Sequence, residues 1–291
     1  MNKKNTSRTV FITGCDTGIG NATALYFQQH GWNVSATMLN PANETTLVTL
    51  PHVICPKLDV TDKASIDAAI TETLQEFGHI DVVVNNAGYG LIGAFETLSD
   101  EQVRRQFDTN VFGLMDVCRA VLPYFRKQNS GTLINVSSMV GRIPLPLYSL
   151  YNASKFAVEG FSEGLIYELE PFNIRIKLIE PGSVKTAFFQ GSSDRENSTG
   201  ENAYIAFSQA QLAVMDEIGA NGISKETAAE TIFKSAIDNS SRVRYSVGMD
   251  AKVLMAARRL LPDSAFIRLI KIGLSPSLFA SARRRLYQFQ R

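Results

Sequence analysis

The chain has 291 residues, 45% of them hydrophobic and 20% charged, the composition of a soluble globular protein with a sizeable core in one large or two small domains. Its net charge of +1 is uneven: residues 251–291 hold nine basic groups against Asp263 alone, a net +8 that leaves −7 for the rest. Cys15, Cys55 and Cys118, an odd number without a Cys-x-x-Cys spacing, exclude a disulfide framework, and His30, His52 and His79 lack metal-ligand spacing, so a reducing compartment and no metal site are expected.

Met1 to Ser7 is polar and leads within a few residues into an apolar run, which leaves no room for a signal peptide or anchor. No stretch approaches the roughly 18 apolar residues of a membrane span. A soluble, cytoplasmic protein is expected. Thr9 to Ile12 reads as a buried strand, and it ends in Thr13-Gly14-Cys15-Asp16-Thr17-Gly18-Ile19-Gly20 before a helical stretch that closes at Gly31. A glycine-rich turn between strand and helix lets backbone N–H groups approach a pyrophosphate, and the helix N-terminus adds partial positive charge. Cys15 reads as an inert small side chain, although a place at a helix N-terminus can lower a thiol pKa. A second strand, Asn33 to Met38, arrives where a dinucleotide fold usually carries an acid for the ribose 2′-OH. This chain has Met38, Leu39 and Asn40 there, neither an acid to select NAD nor a base to clasp a 2′-phosphate.

The alternation continues. Val53 to Leu58 is a strand, Thr61 caps a helix from Asp62 to Phe77, Gly78 ends it, and Ile80 to Val84 is a strand running into Asn85-Asn86-Ala87-Gly88. Ser99 and Gln102 form a capping box before a long helix that contains Asn110 and runs towards Pro123. Thr132 to Val136 is a strand ending at Ser137-Ser138, and Gly141, Pro144 and Pro146 make a loop.

Tyr151-Asn152-Ala153-Ser154-Lys155 then opens a helix that stops at Pro171. Positions i and i+4 share a helix face, so Lys155 can sit beside Tyr151. Moving a phenol from about 10 to neutrality takes roughly 4 kcal/mol. One ammonium at about 4 Å in an effective dielectric of about 20 supplies roughly that. The pair is a candidate acid/base device for a carbonyl or alcohol. Tyr148 has only Asn152 at i+4.

Ile174 to Ile179 is a strand closed by Pro181-Gly182, and residues 187–222 read as a lid-like insert with a helix around Ala203 to Ile218. Ser224 caps a helix to about Asp238, Val243 to Val247 is a last strand, and two amphipathic helices broken at Pro262 carry the basic excess. Apolar strands alternating with helices predict an α/β fold with a doubly wound parallel sheet of Rossmann type. Such sheets bind ligands beyond the carboxyl ends of their strands, where every motif named above falls.

In combination these motifs resemble the short-chain dehydrogenase/reductase family over about residues 8–250, with 251–291 as a helical extension, and the wording Gly14-Cys15-Asp16-Thr17-Gly18 is similar to its retinol and hydroxysteroid dehydrogenase branch. The resemblance implies that Tyr151 is the general acid/base, Ser138 hydrogen-bonds the substrate oxygen, Lys155 depresses the Tyr151 pKa and holds the nicotinamide ribose, and Asn110 places a relay water. It also implies a cofactor site of Gly14, Asp16, Thr17, Gly18, Ile19, Gly20, Met38, Leu39, Asp59, Val60, Asn86, Ala87, Gly88, Pro181, Gly182, Val184 and Thr186, and a homo-oligomer, dimer or tetramer. Ser137 replaces Ser138 if the strand slips by one residue, and Asn110 has an alternative reading as a packing residue.

The function expected is an NAD(P)-dependent oxidoreductase interconverting an alcohol and its carbonyl on a small, mainly apolar substrate, with NADP(H) slightly favoured because no carboxylate opposes a 2′-phosphate. Leu91, Ile92, Phe95, Ile143, Leu145, Leu147, Phe188 and Phe189 are its candidate lining. The rival class is a catalytically silent dinucleotide-binding sensor or scaffold on the same fold. Nucleic-acid binding is not expected, since the basic tail brings no recognition motif. That tail is read as a flap over the substrate in preference to a weak membrane-surface contact.

Overall fold

The computed structural model describes residues 7–186, 193–195 and 203–277. Seven parallel strands form one sheet in the order β3-β2-β1-β4-β6-β7-β9. They are β1 (Thr9–Ile12), β2 (Asn33–Ala36), β3 (Val53–Ile54), β4 (Val82–Asn85), β6 (Gly131–Val136), β7 (Ile174–Pro181) and β9 (Arg244–Val247). The order reverses between β1 and β4, and this switch point opens a crevice at the carboxyl edge.

Alternation along buried strands gives the sheet two cores. Val10, Ile12, Val34 and Val84 face α1 (Gly18–Gln29) and α7 (Lys225–Ile237) through Ala24, Phe27 and Ile232. Phe11, Val83, Leu133 and Leu178 point the other way, onto α2 (Lys63–Phe77), α4 (Leu114–Gln128) and α5 (Ser149–Leu169) through Ile70, Val121 and Val158. The doubly wound sheet expected from the sequence is therefore present.

Local chemistry sets the element ends. Asp62, rather than Thr61, caps α2 by accepting from the Ala64 N–H at 2.9 Å, and Gly78 closes it in the left-handed region at φ 82°. The Ser99 and Gln102 capping box opens α3 (Asp100–Phe107). Between α3 and α4 the backbone takes a π-helical turn, Asp108–Gly113. The helical stretch expected to run towards Pro123 continues past it, since Pro123 lies inside α4, which ends at Gln128. Ser224 caps α7 as expected.

The carboxyl edge carries additions that alternation does not signal. A short parallel pair joins β5 (Gly90–Ile92) to β8 (Ser193–Arg195). A third core, built on Met139, Val140, Tyr148 and Tyr151, packs against Met215 of α6 (Ile205–Ala220), Ala251 of α8 (Met249–Leu260), and Phe266 and Ile270 of α9 (Asp263–Gly273). The tail helices thus fold onto the edge where the sequence motifs gather. No helix among the described residues is long and apolar enough to cross a membrane.

Candidate active site

A cavity of about 930 Å³ runs along the carboxyl edge from the turn after β1 to the helices of the tail. Its first wall is the glycine turn. Gly14 sits at φ 72°, and a Cβ there would lie 2.9 Å from the Ala87 Cα; a Cβ on Gly20 would lie 2.1 Å from the Gly14 carbonyl oxygen. Asn86 fixes this packing, donating from Nδ2 to the carbonyls of Thr13 (3.0 Å) and Gly14 (2.9 Å), while the Thr13 hydroxyl accepts from the N–H groups of Asn86 and Ala87 (both 3.0 Å). The Thr17 side chain does not cap α1. Thr17, Gly18 and Ile19 line the cavity, so the uncapped start of the helix borders it, and a pyrophosphate suits such a helix end.

Most of the residues assigned to a cofactor from the sequence line this one cavity. Gly14, Asp16, Thr17, Gly18 and Ile19 form its glycine wall, Leu39, Asp59 and Val60 one flank, Asn86, Ala87 and Gly88 the other, and Pro181, Gly182, Val184 and Thr186 the far end. Gly20 stands behind the wall as the contact that lets α1 approach. Met38 does not reach it: the side chain is 1% exposed in the sheet core, and its backbone bridges Lys57. Strand alternation turns Met38 inward and leaves Leu39, 51% exposed, to face a ligand.

The chemistry-bearing side chains converge at the middle of the cavity. Ser138 lies two residues beyond β6, its hydroxyl accepting from the Val140 N–H at 3.3 Å, donating weakly towards the Pro181 carbonyl at 3.4 Å, and hydrogen-bonding the Tyr151 phenol. Ser137 also borders the cavity, but its hydroxyl lies towards Glu159, whereas the Ser138 hydroxyl is the one that meets Tyr151. Tyr151 and Lys155 are 8% and 6% exposed, and the Lys155 Nζ donates to the Val136 carbonyl at 2.8 Å and lies 5.8 Å from the centre of the Tyr151 ring. Tyr148 is also buried on the cavity wall, its ring 6.0 Å from that of Tyr151.

This geometry corrects one expectation. Burial pushes the Tyr151 phenol up from its ordinary value, the neighbouring Tyr148 pushes it further, and only the Ser138 hydrogen bond opposes them. Counted from the ring centre, 5.8 Å away, the ammonium offers roughly 3 kcal/mol in an effective dielectric of about 20. Full burial shifts a group by up to about 3–5 pK units, or roughly 4–7 kcal/mol, and wins. The same burial lowers Lys155 to about 8, while Glu159 pulls it back up. Near neutrality the site therefore holds a protonated phenol beside a charged amine.

Asn110 lies behind the wall rather than on it. Within the π-helical turn its amide donates to the Tyr89 carbonyl (2.8 Å) and to the Ser154 hydroxyl (3.3 Å), and its oxygen accepts from the Tyr89 N–H (3.0 Å). The side chain pins the loop after β4 to α5. Cys15 is buried, its thiol shifted well upward by burial and donating to the Ile12 carbonyl at 3.5 Å, which fits the inert reading. Of the predicted substrate lining only Leu145 is on the cavity. Leu91, Ile92, Ile143 and Leu147 are buried elsewhere in the core, Phe95 is 65% exposed, and Phe188 and Phe189 lie outside the described residues.

The apolar end of the cavity is instead made by Met215 and Ile218 of α6, Leu254 of α8, and Leu269, Ile270 and Leu274 of α9 and its end. The i, i+3 spacing of Met215 and Ile218 and the apolar face of α9 were the available signals. Asp250 was not anticipated. Its carboxylate accepts from the Ser183 N–H at 2.7 Å and fills the space where a Cβ on Gly182 would sit, fastening the loop after β7.

Comparison with known proteins settles the family. The family description "short chain dehydrogenase" matches residues 8–197. The chain belongs to the short-chain dehydrogenase family. It is similar to a 3-ketodihydrosphingosine reductase of Bacteroides thetaiotaomicron, at 36% identity over 257 residues, covering 88% of this chain and 93% of the relative. A short-chain dehydrogenase from Streptomyces avermitilis has the same fold at a TM-score of 0.75 and 27% identity, covering 99% of this chain and 97% of its own. A structure of ElxO with NADP bound matches at a TM-score of 0.67 and 26% identity, covering 83% and 97%. The protein is thus an oxidoreductase of the NAD(P)-dependent dehydrogenase/reductase class.

The glycine wall gives a direct test. In Gly20→Ala the added methyl meets a backbone oxygen that cannot move aside, so α1 must shift away from Gly14. A titration of protein fluorescence with reduced cofactor should show binding weakened by at least about tenfold, a loss of roughly 1.4 kcal/mol.

Proposed function

We propose that this short-chain dehydrogenase reduces a ketone or aldehyde on a mainly apolar molecule, or oxidises the corresponding alcohol, with Tyr151 as proton donor and acceptor. The observation that carries this reading is the meeting of the Ser138 hydroxyl and the Tyr151 phenol on the cavity wall, with the Lys155 ammonium behind the phenol. A bound nicotinamide supplies or accepts the hydride. In reduction, negative charge grows on the substrate oxygen; Ser138 and Tyr151 donate hydrogen bonds to it, and Tyr151 passes it a proton. A phenol held protonated by burial suits this task, because a developing alkoxide is the stronger base. Lys155 then stabilises the phenolate that is left. Asn110 acts as a positioning residue, holding Ser154 and Tyr89 in place.

The rival reading, a silent cofactor-binding sensor or scaffold, has no observation of its own in its favour. Tyr151→Phe should lower turnover by at least about 10³-fold, within the range of a lost general acid, while cofactor still binds. Tyr148→Phe should retain most of the rate. Full activity in Tyr151→Phe, or loss confined to Tyr148→Phe, would remove Tyr151 from the mechanism.

A slight preference for NADP(H) is part of the proposal. Leu39 is exposed on the cavity flank where a carboxylate would repel a 2′-phosphate, and ElxO carries NADP. Leu39→Arg adds a planar donor for that phosphate and should raise the NADP(H) to NAD(H) ratio of kcat/KM by about tenfold. A wild-type preference for NAD(H) of about a hundredfold, or roughly 2.7 kcal/mol, would contradict the lean.

The apolar substrate and the flap go together. Leu254 and Leu269 turn the inner sides of α8 and α9 into the cavity wall, which supports the flap over a membrane contact as the main role of the tail. The Bacteroides relative is named for reduction of a ketone, which agrees with this reading. Leu254→Ala combined with Leu269→Ala should cut kcat/KM for a long-chain ketone by at least about tenfold and change a small ketone by less than about threefold, since each leucine contributes roughly 1.5–3 kcal/mol of burial only to a ligand that reaches it. Equal losses on both ketones, with salt-sensitive sedimentation of intact protein on anionic vesicles, would favour the membrane contact instead.

A further inference from the structure

One buried acid next to the site has no part in the mechanism above. Glu159 is 5% exposed and lies four residues beyond Lys155 on α5, one turn along the same face. Its Oε2 accepts from Arg244 of β9 through Nε (3.2 Å) and Nη2 (2.9 Å). The Ser137 hydroxyl faces the carboxyl without the geometry of a good hydrogen bond, and neither it nor Oε1 has another partner among the described residues. Ser137 follows Val136, whose carbonyl accepts from the Lys155 ammonium at 2.8 Å. A Cβ on Gly141 would lie 2.7 Å from the Ser137 hydroxyl and 3.0 Å from the Glu159 Cγ, so only glycine lets these groups close up behind Lys155.

An isolated carboxylate in this position would be expensive. Burial pushes the Glu159 carboxyl upward, the nearby Glu180 adds to the push, and Arg244 opposes it. Glu180 of β7 is 1% exposed and is itself held by Arg244 Nε (3.2 Å), the Ser246 hydroxyl (3.0 Å) and Arg142 Nη1 (3.5 Å). Arg244 also reaches the exposed Glu163 at 2.7 Å. The charged groups around Glu159 are therefore Lys155 and Glu163 on its own helix, Glu180 from β7, Arg244 from β9 and Arg142 from the turn after β6. Arg244 joins the two buried acids, Glu159 stands one helical turn from Lys155 as a neighbouring charge without a direct ion pair to it, and its Oε1 has no hydrogen-bond partner among the described residues.

We propose that Glu159 is a positioning residue whose carboxylate, held by Arg244, keeps the amine of Lys155 charged in a site that excludes water. The inference rests on the assignment of Lys155 as partner of the proton donor. Glu159 touches neither the cavity nor a reacting atom, and it acts through Lys155 alone. A merely structural ion pair would set stability and leave the ionisation of the site unchanged.

The test is the pH dependence of kcat/KM for ketone reduction by the full-length enzyme at saturating reduced cofactor. Reduction requires Tyr151 protonated and Lys155 charged; both conditions hold at neutral pH, and the second is lost as pH rises through about 8. Wild type should therefore show an alkaline fall near that pH. Glu159→Gln, close in shape and uncharged, should move the fall down by about one pH unit, the scale of one neighbouring charge. Glu159→Ala should move it in the same direction, so that a folding failure of one variant leaves the other to decide. Glu159→Asp, which keeps the charge, should return the fall towards wild type, and Glu163→Gln should leave it in place. A fall that stays within about 0.2 units in the uncharged variants, or that moves as far in Glu159→Asp as in Glu159→Gln, would overturn the proposal whatever happens to the melting temperature. Tyr151→Phe separates the two levels: if it retains turnover the parent assignment fails, and if it is inactive an unmoved Glu159→Gln profile counts against Glu159 alone.

Discussion

Removing a phenol and an amine from water together is the constraint on which the site depends. Tyr151 and Lys155 are almost wholly buried, and burial alone drives both towards their neutral forms, the phenol upward and the amine down to about 8. The fold spends three local arrangements on this problem. The end of β6 and the residues just after it offer the Val136 carbonyl to the ammonium and the Ser138 hydroxyl to the phenol, α5 sets the two groups one turn apart, and Glu159 stands on the next turn of the same helix. A neutral acid beside a retained cation is what carbonyl reduction requires, so the cost of burial and the needs of the chemistry point the same way.

The rest of the crevice is backbone held still by side chains. Asn86 and Thr13 lock the turn after β1 against the loop after β4, Asn110 pins that loop to α5, and Asp250 fastens the loop after β7. Each is a polar side chain satisfying buried backbone groups, where a lost partner leaves a donor or acceptor unpaired at roughly 1–3 kcal/mol. They keep the N-terminus of α1, the loops at the carboxyl edge and α5 in one register, which is why residues assigned to a cofactor from four separate loops share one cavity.

The alternating sheet was readable in the sequence because strands such as β1 and β4 are short apolar runs set between helical stretches. Helix ends were readable to within a residue where a cap exists, as at Ser99, Ser224 and Gly78. What did not show were features set by contacts distant in the chain. β5 and β8 are three residues each and pair across about a hundred positions. The substrate lining was misplaced because apolar loop residues such as Ile92 and Ile143 looked available, whereas they fill the core beneath the cavity and leave its wall to α6, α8 and α9. The Met38 side chain lies in the core and off the cavity through strand alternation, a two-residue periodicity that a motif comparison passes over. The downward shift expected for Tyr151 failed because spacing gives the position of Lys155 and says nothing of how much water the fold excludes.

The central claim is that one cavity brings a hydride from the cofactor and a proton from Tyr151 to the same carbonyl. Isotope tracing on the wild-type enzyme tests it most directly: an apolar ketone is reduced with cofactor deuterated at the transferring position, in water and again in deuterium oxide, and the alcohol is analysed by mass spectrometry and NMR. The account predicts one deuterium on the former carbonyl carbon from labelled cofactor, none on that carbon from the solvent, and a slower reaction in deuterium oxide because the proton comes through an exchangeable phenol. Carbon-bound deuterium drawn from solvent, or no product with either cofactor across a broad ketone panel, would contradict it.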